Sequence, residues 1–120
     1  MAMVGMKMKK DSPNMDQKKR VDEIQLLLNL NLAQVSLKLE RWDACIEFCN
    51  DALQLDKENT KALYRRGKAW YSKKDLDRAK ADWTAVEKSD PKAVAGDLKR
   101  LAKSYEEMAA KEARMAKKMF

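Results

Sequence analysis

The sequence predicts an all-α chain: two helix pairs of similar length followed by one long closing helix. Three observations carry that expectation. Of the 120 residues, 38% are charged, three are glycine and two are proline. That composition fits long helices and excludes a disulfide scaffold, a collagen and a Pro/Gly-rich disordered chain. Apolar residues recur at steps of three and four along most of the length, and the two helix pairs repeat one another at a period of 34. The size is that of one domain or part of one.

Residues 1–15 read as a flexible leader, rich in Met and Lys and closing on Asp11-Ser12-Pro13-Asn14. Residues 16–39 carry helical spacing, with Val21, Ile24, Leu27 or Leu28, Leu32, Val35 and Leu39 on one face. The stripe is wide, so this helix is expected to pack on more than one side. Glu40-Arg41 makes a turn, and residues 42–55 form a second helix whose apolar set is Trp42, Cys45, Ile46, Cys49, Ala52, Leu53 and Leu55. Residues 56–59 connect to a third helix that Thr60 is expected to cap and that buries Leu63, Gly67 and Trp70. Lys73-Lys74 turns into a fourth helix from Leu76, with Ala79, Trp83 and Val86 inward, and Ser89-Asp90-Pro91 ends it. Residues 92–120 form the closing helix, with the row Leu98, Leu101, Tyr105, Met108, Met115 and Met119.

At period 34, Ala33 pairs with Gly67, Cys45 with Ala79, Cys49 with Trp83 and Ala52 with Val86. Small residues stand where two helices approach closely, and bulky ones fill the gap between pairs. Leu63, Gly67, Trp70, Ala79, Trp83, Val86 and Pro91 occupy the signature offsets of the tetratricopeptide repeat (TPR), giving repeats over 16–57 and 58–91. Cys45 and Cys49 then act as buried small hydrophobes. No histidine is present, so no ligand set completes a metal site around them, and neither a metal nor a cofactor is expected.

The formal charge of +7 is unevenly spread: +4 over residues 1–20, −5 over 21–59, +4 over 60–91 and +4 over 92–120. A basic second half calls for an anionic partner. Nucleic acid is not the expected one, because Trp70 and Trp83 fall at core positions rather than on a stacking surface. The longest uncharged stretch, residues 24–37, is too short to span a bilayer. No secretory signal is visible, and a reducing, cytoplasmic setting is expected. With no histidine, nucleotide-binding glycine loop or Ser/Lys motif, nothing supplies catalysis.

The resemblance extends beyond the repeat. Asn31-Leu32-Ala33, Leu37-Lys38-Leu39, Ala52-Leu53-Gln54-Leu55-Asp56, and above all Asn59-Thr60-Lys61-Ala62-Leu63-Tyr64-Arg65-Arg66-Gly67, resemble the TPR domain of the large immunophilins. These are the cyclophilins and FK506-binding proteins with a C-terminal TPR domain, and Lys117-Lys118-Met119-Phe120 is similar to the close of their final helix. The resemblance implies a co-chaperone module that binds the C-terminal Met-Glu-Glu-Val-Asp peptide of heat shock protein 90 through a carboxylate clamp. It also implies that the isomerase activity of such proteins lies in a separate domain.

Asn31, Lys61 and Arg65 match clamp positions of the second and third repeats, and Lys68 is a candidate for a supporting peptide contact. Lys61 and Arg65 are four apart and project from one helix face. Arg65 offers a planar fork, Lys61 a point charge and Asn31 an amide. Arg66 is expected to pack or pair within the fold.

The clamp of the family also draws a Lys and an Asn from a first repeat, which this sequence does not show. Two repeats therefore leave Leu26, Leu30 and their neighbours on the first helix uncovered, and self-association through that surface is expected. A second partner is suggested by the closing helix: Lys111, Arg114, Met115, Lys117, Lys118 and Met119 form a basic amphipathic segment of the kind calmodulin binds.

Overall fold

The computed structural model describes residues 14–119. Of these, 89% are helical and none lies in a strand. Five helices follow in order: α1 (Met15–Lys38), α2 (Trp42–Leu55), α3 (Thr60–Ser72), α4 (Leu76–Ser89) and α5 (Pro91–Met119). Each packs along the next, and α1 also touches α3, so the described helices stack in sequence in a body of 84 × 30 × 23 Å. Most of the expected leader lies outside the described residues. Its last two positions belong to α1: Asn14 caps the helix in a reciprocal capping box with Gln17.

The period of 34 is reproduced in backbone geometry. Glu40 (φ 58°) and Lys74 (φ 70°) are the only non-glycine residues with positive φ among those described, and they occupy equivalent turns. Arg41 N–H donates to the Ser36 carbonyl and Asp75 N–H to that of Trp70, again 34 apart. Asp56 and Asp90 end the two second helices with the same extended backbone, each donating to the carbonyl four residues back (Ala52, Val86). The pairs Cys45/Ala79, Cys49/Trp83 and Ala52/Val86 are all fully buried or within 1% of it.

Two apolar clusters form the core. The first joins Leu30, Ala33, Cys45, Ile46, Cys49, Ala52, Ala62 and Ala69; the second joins Leu76, Ala79, Trp83, Val86, Val94 and Leu101. Leu63 and Trp70, expected inside, are only partly buried at the cluster margins, while Ala62 and Ala69 take the innermost places on α3. Thr60 is the first residue of α3 rather than its cap: the Asn59 side chain accepts from Ala62 N–H at 2.9 Å. An amide one residue earlier reaches the orphan N–H that the threonine hydroxyl was expected to take.

The face expected to be buried on α1 is its exposed one. Val21, Ile24, Leu27, Leu28, Val35 and Leu39 are all at least half exposed, whereas Leu30 and Ala33 are buried with Leu26 and Leu37 packed beside them. The residues expected to lack cover, Leu26 and Leu30, are thus part of the core. Residues 24–37 are apolar around most of the helix, so periodicity alone offers two stripes; the small side chain of Ala33, which allows close approach of α2, decides between them.

A buried charge cluster ties three helices together. Arg66 Nε and Nη2 donate to the two carboxylate oxygens of Asp82 at 2.9 and 2.7 Å, and Nη1 donates to Asn50 Oδ1 at 2.8 Å. The cluster locks α3 to α4 and α2, which is the pairing role expected for Arg66. On α5, Val94 and Leu101 are buried and Leu98 and Tyr105 partly so, but Met108, Met115 and Met119 are exposed on the projecting half. No described helix is long and apolar enough to cross a membrane.

Candidate functional site

α1 and α3 are the first helices of the two repeats and lie side by side, which places their outward residues along one concave groove. At one end, a hollow of about 550 Å³ is lined by Gln34, Thr60, Lys61, Tyr64, Arg65, Val86, Asp90 and Ala93. Lys61 and Arg65, one turn apart on α3, therefore meet in a single hollow, as their spacing predicts. Arg65 is half-buried because its guanidinium reaches across to α1, where Nη1 donates to the Leu30 carbonyl at 2.9 Å. One such bond leaves the rest of its five-donor fork for an anion. From below, the Cys45 thiol lies 3.7 Å from the Arg65 carbonyl as its donor, so α2 fixes the backbone at the same residue.

Asn31 follows Leu30 on α1, beside the carbonyl that Arg65 holds; it is exposed and stands outside the hollow's lining. Lys68 lies two turns along from Lys61, in a neighbouring hollow of about 340 Å³ with Gln34, Leu37, Lys38, Trp42, Tyr64 and Ser72. Its ammonium sits 5.4 Å from the centre of the Tyr64 ring, a distance at which the ring face attracts a cation. Gln34 and Tyr64 line both hollows and make them one continuous groove. Neither residue was identified from the sequence, nor was Lys38. Their signal lay in the same repeat register that located Lys61, since Tyr64 is one residue before Arg65 and Gln34 one turn beyond Leu30.

The groove is cationic, with Lys61, Arg65, Lys68 and Lys38 along it and Asp90 as the single lining carboxylate. Tyr64 holds its phenol proton above the ordinary value because it is desolvated, with Asp97 as a further cause. Beneath the site, the Cys49 thiol is pushed up by the neighbouring Cys45 thiol and by burial; both thiols are free and fully buried. Among the described residues no group of His, Cys, Asp and Glu is arranged to hold a metal. The segment containing Lys111, Arg114, Met115, Lys117, Lys118 and Met119 is exposed throughout, on the far half of α5 and apart from this groove.

Helix pairs repeating at 34 residues, stacked around a groove lined by first helices and closed by a terminal helix, define a TPR domain of two repeats. Over part of its length the chain is homologous to large FK506-binding immunophilins. It is 44% identical over 71 residues to mouse peptidyl-prolyl cis-trans isomerase FKBP4, an alignment covering 59% of this chain and 16% of that protein. It is 36% identical over 94 residues to Arabidopsis thaliana FKBP42, covering 77% of this chain and 26% of the relative. The chain thus spans less than a third of the length of these relatives, and no family model matches it.

Solved structures agree on the fold. The Hsp90 co-chaperone Cns1 from Saccharomyces cerevisiae superposes with a TM-score of 0.74 at 29% identity, covering 81% of this chain and 32% of that one. The first TPR of Spaghetti (RPAP3), solved with the HSP90 peptide SRMEEVD, gives 0.64 at 27% identity, covering 67% and 65%. The C-terminal TPR-containing domain of a putative Plasmodium falciparum FK506-binding protein gives 0.77 at 22% identity, covering 85% and 69%. The matches fall in the TPR region, and the described residues form an all-helical TPR fold without an FK506-binding fold.

Proposed function

We infer that the groove between α1 and α3 binds the acidic C-terminal Met-Glu-Glu-Val-Asp peptide of heat shock protein 90, and that the chain serves as a cytoplasmic co-chaperone module. The observation that carries this reading is the convergence of Lys61 and Arg65 in one hollow, with Arg65 anchored on the Leu30 carbonyl. Arg65 and Lys61 hold the terminal carboxylates, Asn31 donates to a carboxylate or peptide carbonyl at the α1 edge, and Lys68 meets an upstream acidic residue. The SRMEEVD-bound TPR relative supports the choice of ligand.

The described chain provides three clamp positions. A micromolar peptide complex is worth about 8 kcal/mol, and each charge-assisted hydrogen bond about 1.5–3 kcal/mol, so without two further contacts the affinity falls to about millimolar. Calorimetric titration with acetyl-Met-Glu-Glu-Val-Asp is the test. Binding that disappears with Lys61→Ala, with Arg65→Ala and with an amidated peptide supports the clamp. No heat at millimolar peptide, or equal binding of the amidated form, overturns it.

A second reading concerns the projecting half of α5. Met108, Met115 and Met119 are exposed there at 48, 56 and 78%, beside the exposed Lys111, Arg114, Lys117 and Lys118. A basic helix with an open methionine row suits calmodulin. Calcium-dependent capture of the chain by calmodulin, lost in Met115→Asp, supports it; capture that persists in chelator does not.

A further inference from the structure

α5 leaves the body of the fold at Tyr105. Leu101 is its last buried residue, and every residue from 106 to 119 is exposed. Two hydrogen bonds make the final attachment: the Tyr105 hydroxyl donates to the Asp77 carboxylate, and the Ser104 and Tyr71 hydroxyls bond one another at 2.9 Å. Tyr71 is itself held in place, its ring centre 5.6 Å from that of Trp83. Beside the Ser104–Tyr71 bond opens a hollow of about 430 Å³, lined by Lys74 from the α3–α4 turn and by Lys111 from further along α5. Glu107 is its one lining carboxylate, and neither lysine has an ion-pair partner among the described residues.

Ser104-Tyr105-Glu106-Glu107 places carboxylates two and three residues after the serine. Acid-directed protein kinases accept that pattern, because basic side chains in their substrate groove bind those carboxylates. Two other hydroxyls have an acid three residues on, Ser72 (Asp75) and Thr84 (Glu87). Ser72 is followed at once by Lys73 and Lys74, which oppose such a groove. Thr84 lies beside the buried Trp83 and Val86, where α4 opens only if the core does. Ser104 differs on both counts: opening α5 from its far end back to this residue breaks the two hydrogen bonds named above and uncovers no buried side chain, which keeps the cost that of a local event.

We propose that Ser104 is a phosphorylation site, and that its phosphate seats between Lys74 and Lys111 and fixes the projecting half of α5 to the α3–α4 turn. In the transfer, Ser104 Oγ attacks the γ-phosphorus of ATP, the bond to the bridging β-phosphate oxygen breaks and ADP leaves. The hydroxyl proton passes to the catalytic carboxylate of the kinase. The product carries close to two negative charges on strong acceptor oxygens. Tyr71 then donates its O–H to one of them, so a charge-assisted bond replaces the neutral one that held Ser104. The two ammoniums outweigh Glu107, and a phosphate set opposite basic side chains orders the segment that bears it. The hollow shares no lining residue with the Lys61–Arg65 hollow, so the inference does not depend on the peptide reading.

The test treats the whole chain with ATP and an acid-directed serine/threonine kinase and maps the product by mass spectrometry. The expected product is phosphorylated on Ser104, and Ser104→Ala abolishes the modification. Amide hydrogen exchange then compares the phosphorylated chain with the unmodified one. Exchange over residues 106–112 should slow about fivefold, the effect of one well-formed exposed ion pair. Lys74→Gln and Lys111→Gln should each remove that slowing while Ser104 is still phosphorylated, which separates docking from recognition by the kinase. Phosphate on Ser72 or Thr84 in place of Ser104, or on none of the three, overturns the assignment. Exchange that is unchanged or faster after phosphorylation, or slowing that survives both lysine variants, overturns the docking.

Discussion

The indole of Trp83 packs directly against Gly67. A Cβ added at Gly67 would stand 2.3 Å from the indole Nε1 and 2.6 Å from Cδ1, and that same indole N–H donates to the Tyr64 carbonyl at 3.2 Å. The glycine allows α3 and α4 to approach until the ring fills the space between them. Gly67→Ala gains up to about 1 kcal/mol of helix propensity but displaces a fully buried tryptophan, for which overpacking costs about 1–3 kcal/mol, and strains the Tyr64 bond as well. Urea denaturation should show a net loss of about 1–2 kcal/mol. Gly96 is the control: nothing lies within 4 Å of its added Cβ, so Gly96→Ala should stabilise the chain by about 0.5–1 kcal/mol.

Glu40 and Lys74 close equivalent turns in the left-handed region, at φ 58° and 70°. Side chains with a Cβ are disfavoured there by about 1–2 kcal/mol, and glycine is not. Glu40→Gly and Lys74→Gly should each raise the urea midpoint, by about 0.5–1 kcal/mol once the greater freedom of glycine in the unfolded chain is counted. Lys74 lines no part of the groove, so peptide binding should be unaltered. A loss of stability at both sites would show that the side chains contribute more than the backbone strain costs.

Asp82 is buried, at 5% exposure, and takes both of its hydrogen bonds from Arg66. Removing one partner of a buried pair leaves the other unpaired and costs about 3–5 kcal/mol, so Asp82→Ala should lower stability by that order. Replacing both, as Arg66→Met with Asp82→Leu, should recover most of the loss. Failure of the double variant to recover would assign the cluster, with Asn50, a packing role that apolar side chains cannot fill.

Much of the fold was legible because the repeat constrains many positions together: Ala33/Gly67, Cys45/Ala79 and Cys49/Trp83 are mutually spaced, and a coincidence at all three requires the same helix pair twice. The orientation of α1 was misread from its apolar stripe, since a helix apolar on both sides offers two; the deciding signal was Ala33, the repeat partner of Gly67, which is fully buried. The same asymmetry holds at the site. Lys61 and Arg65 were legible from the Asn59–Gly67 motif and its repeat register, whereas Gln34, Lys38 and Tyr64 share that register but line the groove only through the apposition of α1 and α3, which no motif residue marks. Asn59 and Thr60 are both good caps, and only the observed backbone separates them.

The Tyr105 hydroxyl donates to the Asp77 carboxylate, joining α5 to α4. That bond, followed by burial, raises the phenol from its ordinary 10 to about 12. A raised value means that the folded chain holds the proton more tightly, so the contribution is complete below pH 10 and is lost as pH climbs through about 12. Tyr105 is only partly buried, and solvent screening holds the effect to about 1 kcal/mol or less. Tyr105→Phe should therefore be slightly less stable than the parent at pH 8, with the difference closing toward pH 12. A gap that stays constant with pH would assign the effect to packing instead.

Asp90 is the one carboxylate among the residues lining the Lys61–Arg65 hollow, and it opposes the acidic ligand proposed for that site. It ends α4 through its backbone N–H, and its carbonyl accepts from Ala93 N–H, so neither bond depends on the side-chain charge. Asn is as good a helix-terminal residue as Asp, which makes Asp90→Asn a change of charge with little change of structure. An exposed charge contributes about 0.2–1 kcal/mol to such an interaction, so acetyl-Met-Glu-Glu-Val-Asp should bind the variant up to about fivefold more tightly. The gain should shrink as salt is added, since ions screen the repulsion being removed. Lys61→Ala in the same background should cancel the improvement. An affinity unchanged by Asp90→Asn at low salt would mean that the terminal carboxylates sit away from Asp90, displaced along the groove toward Tyr64 and Lys68.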